Sequence, residues 1–194
     1  MNKLTAADLL SLEHYARERA AWRSRAIAHK RQRSVHLGAH LTLLFEDRLT
    51  VQYQVQEMLR IERIFEPAGI AEELAAYNPL IPDGHNLKAT LLIEYPDQEQ
   101  RRAALERLRD IEHHIELCVG TGAAMPGIAD EDLPRSNDSK TAAVHFLRFE
   151  LDAPAIAAWH ASAPVRLRVQ HTAYAADVQL DAAQHAALGA DLIA

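Results

Sequence analysis

The stretch YNPLIPDGHNLKATLLIEY, residues 77–95, is where the pattern of the chain changes. Its first half is a polar loop with two prolines and one glycine, and its second half alternates between apolar and polar residues. Alternation with a period of two is typical of a strand that buries one face. We therefore predict a strand over residues 87–95. The loop before it is either a turn that begins a sheet or a ligand-binding site.

The residues before this stretch are predicted to be mainly helical. Thr5 and Asp8 match a capping box, which predicts the start of a helix that continues to about Arg33. The apolar stripe expected to face the core in this helix is Leu9, Leu12, Ala16, Ala20 and Ile27. After a strand over residues 41–46, Asp47 is placed to cap a second long helix. The expected buried face of that second helix is Val51, Val55, Met58 and Phe65.

After the opening stretch, predicted strands alternate with predicted helices. Asp97, Asp152 and Asp181 each follow a strand and stand where a side chain can cap the next helix. The further predicted strands cover residues 115–119, 143–151, 165–171 and 174–180. A β-α-β pattern therefore occurs twice, and charges of both signs lie on the polar faces of its strands. Such faces suit a mixed or antiparallel sheet with cross-strand ion pairs.

These features predict an α+β fold in which long N-terminal helices pack with a mixed or antiparallel sheet built from two β-α-β-like units. The chain has 194 residues, of which 48% are hydrophobic, and this is enough to form one sizeable core. We expect a single domain over residues 1–194. Within it, residues 1–80 form a mainly helical part and residues 81–194 a strand-rich α/β part.

The composition excludes several classes of protein. No apolar run is long enough to cross a bilayer, and the acidic residues near the start do not fit a signal peptide. Cys118 is the only cysteine, which excludes an intrachain disulfide and a cysteine-held iron–sulfur cluster and fits a reducing cytoplasm. The chain has no Walker loop, nucleophile elbow, zinc-protease motif or Glu-x-x-His pair. We therefore expect a cytoplasmic protein without a metal site or a cofactor.

The net charge of −6 conceals a basic segment between residues 19 and 45 that contains no acid. The candidate anion-binding residues in this segment are Arg23, Arg25, Lys30, Arg31 and Arg33. A basic stripe on an acidic body can bind phosphates or nucleic acid. It can also be a solvated helix face or dock on the acidic part of the same chain, and we favour this interpretation.

Two titratable residues lie on predicted apolar faces. Glu62 falls between Met58 and Phe65 on the second helix, and His145 shares a strand face with Leu147. A buried carboxylate and a buried imidazole each need a partner, because an unpaired buried charge is costly. They can pair with each other or with an arginine. We favour a structural ion pair, and the alternative is a catalytic acid–base pair that lines a pocket.

Two polar loops form a candidate ligand-binding rim. The first offers Asp83, Asn86 and Lys88, and the second offers Arg135 and Lys140. If the strands that follow these loops are parallel neighbours, the loops lie side by side and can hold an anionic ligand. If the strands are antiparallel, the loops lie at opposite ends. Because turns need the same residue types, we favour the interpretation that both loops are turns.

Three stretches together resemble a bacterial family catalogued as domain of unknown function 3501. They are LTLLFEDRLTVQYQVQEMLRIERIF (residues 41–65), NPLIPDGHNLKATLLIEYPD (78–97) and ADEDLPRSNDSKTAAVHFLRFEL (129–151). The resemblance covers essentially the whole chain and brings no catalytic residues with it. It implies a role beside a rubrerythrin and an iron–sulfur oxidoreductase, whose genes are often neighbours of this family, in peroxide or redox metabolism.

We therefore expect an accessory or partner-binding protein of a rubrerythrin-linked redox or peroxide-stress system that is not itself an electron carrier. One alternative is an enzyme or small-ligand binder that uses Glu62 and His145. A weaker alternative is nucleic-acid or anion binding through the basic segment. The sequence leaves the oligomeric state open.

Overall fold

The computed structural model describes residues 2–129 and 140–193, which form six α-helices and nine β-strands. The helices are α1 (Leu12–Arg31), α2 (Arg48–Glu62), α3 (Pro67–Tyr77), α4 (Gln98–Arg107), α5 (Ala153–His160) and α6 (Ala182–Gly189). The strands are β1 (Ser34–His36), β2 (Leu41–Phe45), β3 (Asn86–Ile93), β4 (Ile115–Val119), β5 (Met125–Pro126), β6 (Ile128–Ala129), β7 (Val144–Glu150), β8 (Val165–His171) and β9 (Tyr174–Gln179).

The strands form two antiparallel sheets. The first has the order β1-β2-β3-β7-β6, and the second has the order β5-β4-β8-β9. These sheets and the flanking helices confirm the α+β fold with antiparallel pairing. The sequence predicted a single sheet, however, and the difference arises because each β-α-β unit begins in one sheet and ends in the other. In the first unit, β3 and β4 lie in different sheets, and in the second, β7 and β8 do.

The two sheets are linked at both edges. Gly127 lies between β5 and β6, so a single short segment pairs first with β4 and then with β7. At the other edge, the Tyr174 hydroxyl donates to the carbonyl of Leu37 at 2.6 Å, joining β9 to the β1–β2 turn. The sheets therefore enclose one apolar interior, as in a flattened barrel.

Aspartates at the ends of strands begin the helices as predicted. Asp97, Asp152 and Asp181 each accept a hydrogen bond from the backbone N–H three residues later, at 2.8 Å. Asp47 does the same at the start of α2, at 2.9 Å. Each bond satisfies an N–H that has no partner inside the helix. The caps confirm the predicted starts of these four helices.

The buried residues form two clusters. The larger one fills the space between the sheets and is covered by α4, α5 and α6, with Trp159 and Phe149 among its largest side chains. The smaller one lies among the N-terminal helices and consists of Leu4, Val51, Val55, Leu59, Leu74 and Ile81.

In the part of the chain that the structure describes, no helix combines the length and apolar character needed to span a bilayer.

The long N-terminal helix differs from its prediction. Thr5 caps only a short 3₁₀ turn, and α1 begins later, with Ser11 as its N-cap. The predicted stripe is also displaced: Tyr15 and Ala26 are buried, whereas Ala16 and Ala20 are exposed. The shift arises because Tyr15 packs inward and donates from its hydroxyl to Glu57 of α2 at 2.7 Å. Hydrophobic periodicity alone did not include this aromatic residue in the buried face.

Candidate functional site

The structure places the imidazole of His145 in the interior, where it is 2% exposed. Its Nδ1 lies 3.7 Å from Oε1 of Glu112, and its Nε2 lies 2.8 Å from the Thr141 hydroxyl and 3.0 Å from the carbonyl of Ala142. Glu112 and Thr141 are also buried. Glu112 belongs to a 3₁₀ turn before β4, so the cluster connects the first sheet with the start of the second.

This cluster has the composition of a hydroxyl–imidazole–carboxylate triad, but its hydrogen-bond directions differ. A carbonyl oxygen only accepts, so Nε2 must carry a proton to bond the carbonyl of Ala142. The Thr141 hydroxyl in turn donates to Oε2 of Glu112 at 3.3 Å. His145 therefore faces the hydroxyl as a donor and not as the base that would activate it. The arrangement suits a structural contact between His145 and Glu112 rather than a catalytic one.

The prediction that Glu62 is buried is wrong, and this rules out the buried pair with His145 that was one of the two options. Glu62 is the last residue of α2 and is exposed. The buried line of α2 runs through Val51, Val55 and Leu59, so Phe65 lies beyond the helix end and is 69% exposed. The prediction failed because α2 ends at Glu62, where Arg63 adopts a left-handed conformation, so the apolar face expected to run through Glu62 to Phe65 is not continued. A buried carboxylate does accompany His145, but it is Glu112, 33 positions earlier in the chain.

The described parts of the two candidate loops do not meet. β3 and β7 are neighbours but antiparallel, with Asn86 opposite Glu150, so the loops that precede them lie at opposite ends of the pair. This overturns the proposed rim as far as it joins Asp83, Asn86 and Lys88 with Lys140. Arg135 itself lies outside the described residues, and Lys140 is an exposed residue at the edge of them.

Instead, the opening loop makes its own contacts. Asp83 accepts from the backbone of His85 at 3.0 Å and from the side-chain amide of Asn86 at 2.8 Å. The ammonium group of Lys88 donates to the carbonyls of Pro79 at 2.6 Å and Ile81 at 3.2 Å. Hydrogen bonds of this kind are those of a turn that begins a strand.

The basic segment is divided by the structure. Arg23, Arg25 and Arg31 are exposed on α1, and Lys30 is partly exposed. Arg33, by contrast, is 1% exposed and cannot reach an external anion. The prediction that all five cations share one surface is therefore wrong for Arg33, because the chain turns inward after α1 to begin β1.

Buried Arg33 is surrounded by acceptors. It forms an ion pair with Asp191, lies 3.6 Å from Asp47 and donates to the backbone carbonyl of Ala187 at 2.9 Å. Burial raises the pKa of Asp191 to about 6, although the charge of Arg33 opposes the rise. Burial also acts to raise the pKa of Asp47, but Arg33, the N–H of Thr50 and His29 together hold it below its usual range.

An open apolar groove lies where the N-terminal helices converge. Its volume is about 350 Å³, and its apolar lining includes Leu9, Leu10, Leu12, Leu59, Ile64 and Ile70. Phe65 lines its edge, and on the last turn of α2 Ile61 is 57% exposed. The lining comes from three places: residues 6–13, which include the start of α1, residues 59–65 at and after the end of α2, and Ile70 of α3. This volume falls in the range of ligand and anchor-residue pockets.

The surface beside the groove is acidic. Glu62, Glu66 and Glu72 are exposed in the segment that supplies Phe65 and Ile70, and Arg63 is the exposed cation beside them. Arg60, at the end of α2, is already paired with Glu57 at 3.1 Å. A surface that combines exposed aromatic and aliphatic side chains with carboxylates is suited to an apolar segment that carries positive charges.

Sequence reasoning did not identify this groove, although two features pointed to it. Leu9–Leu10 and Ile64–Phe65 are adjacent apolar pairs at helix ends. Neighbouring residues on a helix point about 100° apart, so both members of such a pair rarely face one small core.

Among the described residues, no group of three or more histidine, cysteine or acidic side chains is arranged to hold a metal ion.

Comparisons with known proteins agree with the fold and assign no activity. Residues 3–192 match the family model described as Protein of unknown function (DUF3501). A crystal structure of a novel protein of unknown function from Burkholderia pseudomallei is 50% identical to this chain and superimposes with a TM-score of 0.94. The match covers 99% of this chain and 100% of that one. No curated protein matches the chain.

Proposed function

The chain belongs to the DUF3501 family of proteins of unknown function, and we propose that it is an accessory protein that binds a partner through the groove between α1, α2 and α3. The observation that carries this proposal is the exposure of Phe65, at 69%, beside an open apolar pocket. An exposed apolar patch that continues into a concave apolar surface is a common mark of a binding site.

The chemistry of the groove specifies the kind of partner segment. Apolar anchors can enter between Leu9, Leu59 and Ile70, and Phe65 can pack against the segment from the edge. The carboxylates of Glu62 and Glu66 favour lysine or arginine beside those anchors. An amphipathic basic helix or extended segment has both properties, and helices commonly bind grooves of this type.

The redox setting of the proposal comes from the family resemblance. It names a rubrerythrin and an iron–sulfur oxidoreductase as the proteins to test first. In this proposal those two proteins transfer electrons, and this chain binds to them as an accessory protein. The proposal requires that at least one of them presents a basic apolar segment to the groove.

The test is direct binding between this protein and each of the two candidate partners from the same host, measured by biolayer interferometry. Phe65→Asp should weaken binding at least about tenfold, as expected for loss of a buried aromatic anchor. Ile193→Asp is the control, because Ile193 is likewise a large apolar residue that is largely exposed, at 54%, and it does not line the groove. Absence of binding to both proteins refutes the redox setting, and equal binding by wild type and Phe65→Asp refutes the groove.

Anion binding through α1 is a second candidate, favoured by the exposed cations Arg23, Arg25 and Arg31. It predicts that a labelled oligonucleotide binds and that its affinity falls steeply with added salt. Weak binding that is unchanged by Arg23→Glu and Arg25→Glu refutes this candidate.

A further inference from the structure

Residues 3–13 cross the helices that form the groove, and they consist of two parts. Residues 3–5, called the tip, belong to none of the described helices and strands. Residues 6–13, called the wall, supply more than half of the residues that line the groove. The two parts are held in different ways, and this difference indicates which of them a partner can displace.

The wall is fixed to α2 by two glutamine side chains and an ion pair. Gln52 donates to the carbonyl of Asp8 at 2.5 Å, and Asp8 forms an ion pair with Arg48. Gln56 accepts from the N–H of Leu10 at 2.6 Å and donates to the carbonyl of Leu10 at 3.4 Å. Because Gln56 is fully buried, release of the wall would leave its amide without these partners, which is costly. The wall therefore stays in place.

The tip is bound through its backbone by one side-chain amide. Asn78 accepts from the N–H of Leu4 at 2.8 Å and donates to the carbonyl of Leu4 at 2.9 Å. An amide that bonds both backbone groups of one residue makes the contacts that a neighbouring strand would make with an extended peptide. Such contacts do not depend on the side chain of the bound residue, so a segment of another protein can form them equally well.

Two side chains of the tip define what fits beside Asn78. Leu4 is 3% exposed and fills an apolar pocket. The residues that form this pocket, called the Leu4 pocket, are Val51, Val55, Leu59, Leu74 and Ile81. The ammonium group of Lys3 donates to the carbonyls of Asn78 at 3.0 Å and Ile81 at 2.8 Å, just beyond the end of α3, where the helix dipole favours a cation. The site therefore accepts a basic residue followed by a leucine.

We propose that the tip is an exchangeable internal ligand and that the Leu4 pocket is a second anchor pocket of the groove. A partner segment with the sequence Lys-Leu or Arg-Leu displaces residues 3–5 and takes over their contacts with Asn78 and Ile81. Leu59 belongs both to the pocket and to the groove lining, so one segment can continue from the groove into the pocket over an apolar surface. The inference rests on the proposed function for the existence of a partner, and it adds that the tip inhibits binding until it is displaced.

Hydrogen exchange of the wild type tests whether the tip opens. Leu4 is the only buried side chain in the tip, whereas Val55 lies on the buried face of α2. Local opening therefore costs far less free energy at the tip than within α2. The N–H of Leu4 should exchange with deuterium at least about a hundredfold faster than the N–H of Val55. Equal rates would overturn the inference, because the tip would then open only when the protein unfolds.

The direct test is a titration with the peptide acetyl-NKLTAA-amide, which copies residues 2–7, followed by NMR of the methyl groups of Ile81. In the wild type, the attached tip competes at an effective concentration of about 1 mM or more. In Leu4→Asp the tip no longer fills the pocket, so the peptide should bind at least about tenfold more tightly than to the wild type. Asn2→Asp is the matched control, because it adds the same charge at an exposed position and leaves the pocket filled. It should bind the peptide as weakly as the wild type does.

A second variant covers the case in which Leu4→Asp does not fold, as judged by circular dichroism. Lys3 is exposed, so Lys3→Ala removes two hydrogen bonds of the tip without opening the core. The peptide should bind Lys3→Ala at least about threefold more tightly than the wild type. A peptide that carries the Leu4→Asp change should bind neither variant.

Two results of the titration would overturn the inference. One is that the folded variants bind the peptide no more tightly than the wild type does. The other is that the peptide and its Leu4→Asp form bind equally well. These measurements use no redox protein. Failure of the proposed function would instead appear as absence of binding to both candidate partners, or as equal binding by wild type and Phe65→Asp.

Discussion

Arg33 and Asp191 form a buried ion pair although they are 158 positions apart in the chain. The guanidinium group of Arg33 also donates to the backbone carbonyls of Phe45 and Glu46, each at 3.1 Å. This side chain lies two residues after the end of α1 and joins the end of β2 to the segment that follows α6.

Replacing Arg33 should strongly destabilise the protein. In Arg33→Met, Asp191 and Asp47 lose their buried cation, and removal of one partner from a buried ion pair costs about 3–5 kcal/mol. Arg31→Ala is the control, because Arg31 is exposed on the last turn of α1 and should change stability by less than about 0.5 kcal/mol. Urea denaturation followed by circular dichroism measures both. Equal stability of the two variants would contradict the assignment of Arg33 as a structural residue.

The carboxyl group of Asp191 should give stability an unusual pH dependence. Because its pKa is raised to about 6 when folded, it binds a proton between about pH 4 and pH 6 in the folded state but not in the unfolded state. Its contribution to the free energy of unfolding therefore falls as the pH rises from 4 to 7, by about 3 kcal/mol at most. In Asp191→Asn the residue no longer titrates, so the difference in stability between wild type and variant should shrink over the same range. A difference that is constant from pH 4 to pH 7 would exclude the raised pKa.

The elements that sequence reasoning predicted correctly depend on local chemistry. Asp97, Asp152 and Asp181 cap helices through contacts with residues three positions away, and such contacts can be read from the sequence. The strand over residues 86–93 is set by alternation of its own side chains, with Leu87 and Leu91 buried. The chain therefore carries most of its secondary structure in short-range patterns.

The site could not be predicted because its parts are distant in sequence. His145 was expected to be buried with a carboxylate, but nothing in the sequence distinguishes Glu112 from Glu62 as its partner. The N-terminal helix has small residues on several faces, so periodicity did not indicate that Tyr15 would face inward. The division of the strands between two sheets depends on where α4 and α5 cross, which is a property of packing rather than of any one segment.

Glu57 should contribute stability that is lost in acid. Its carboxylate accepts hydrogen bonds from Arg19 at 2.8 Å and Tyr15 at 2.7 Å, and these, with Arg60, lower its pKa to about 2. A carboxylate with a lowered pKa stabilises the folded state at neutral pH, and that contribution disappears as the pH falls from about 4.5 to about 2. Glu57→Gln should therefore lower the free energy of unfolding at pH 7 by about 1.5–3 kcal/mol. Glu62→Gln, at the exposed end of the same helix, should have little effect.

His145 and Glu112 should be energetically coupled. Glu112→Leu or His145→Leu alone removes one member of a buried pair and should cost about 3–5 kcal/mol. The loss of stability in the double variant should be smaller than the sum of the two single losses by about 1–3 kcal/mol. The reason is that the second substitution removes a buried group that had already lost one of its contacts in the first. Urea denaturation of the four proteins completes the cycle. If the two single losses of stability add up to the loss in the double variant, the 3.7 Å contact contributes no coupling free energy.

Gly189 should not tolerate a side chain, although it lies in helix α6. A Cβ atom added there would lie 2.7 Å from the indole Nε1 of Trp159, which is 1% exposed and donates to the carbonyl of His185 at 3.1 Å. Gly189→Ala should therefore destabilise the protein by about 1–3 kcal/mol through overpacking, even though alanine favours a helix by about 1 kcal/mol. Ala186→Ser is the control, because Ala186 is exposed on the same helix and this change should alter stability by about 0.5 kcal/mol or less. Thermal unfolding and tryptophan fluorescence measure both, and a Gly189→Ala protein as stable as the wild type would mean that Trp159 can move without losing its hydrogen bond.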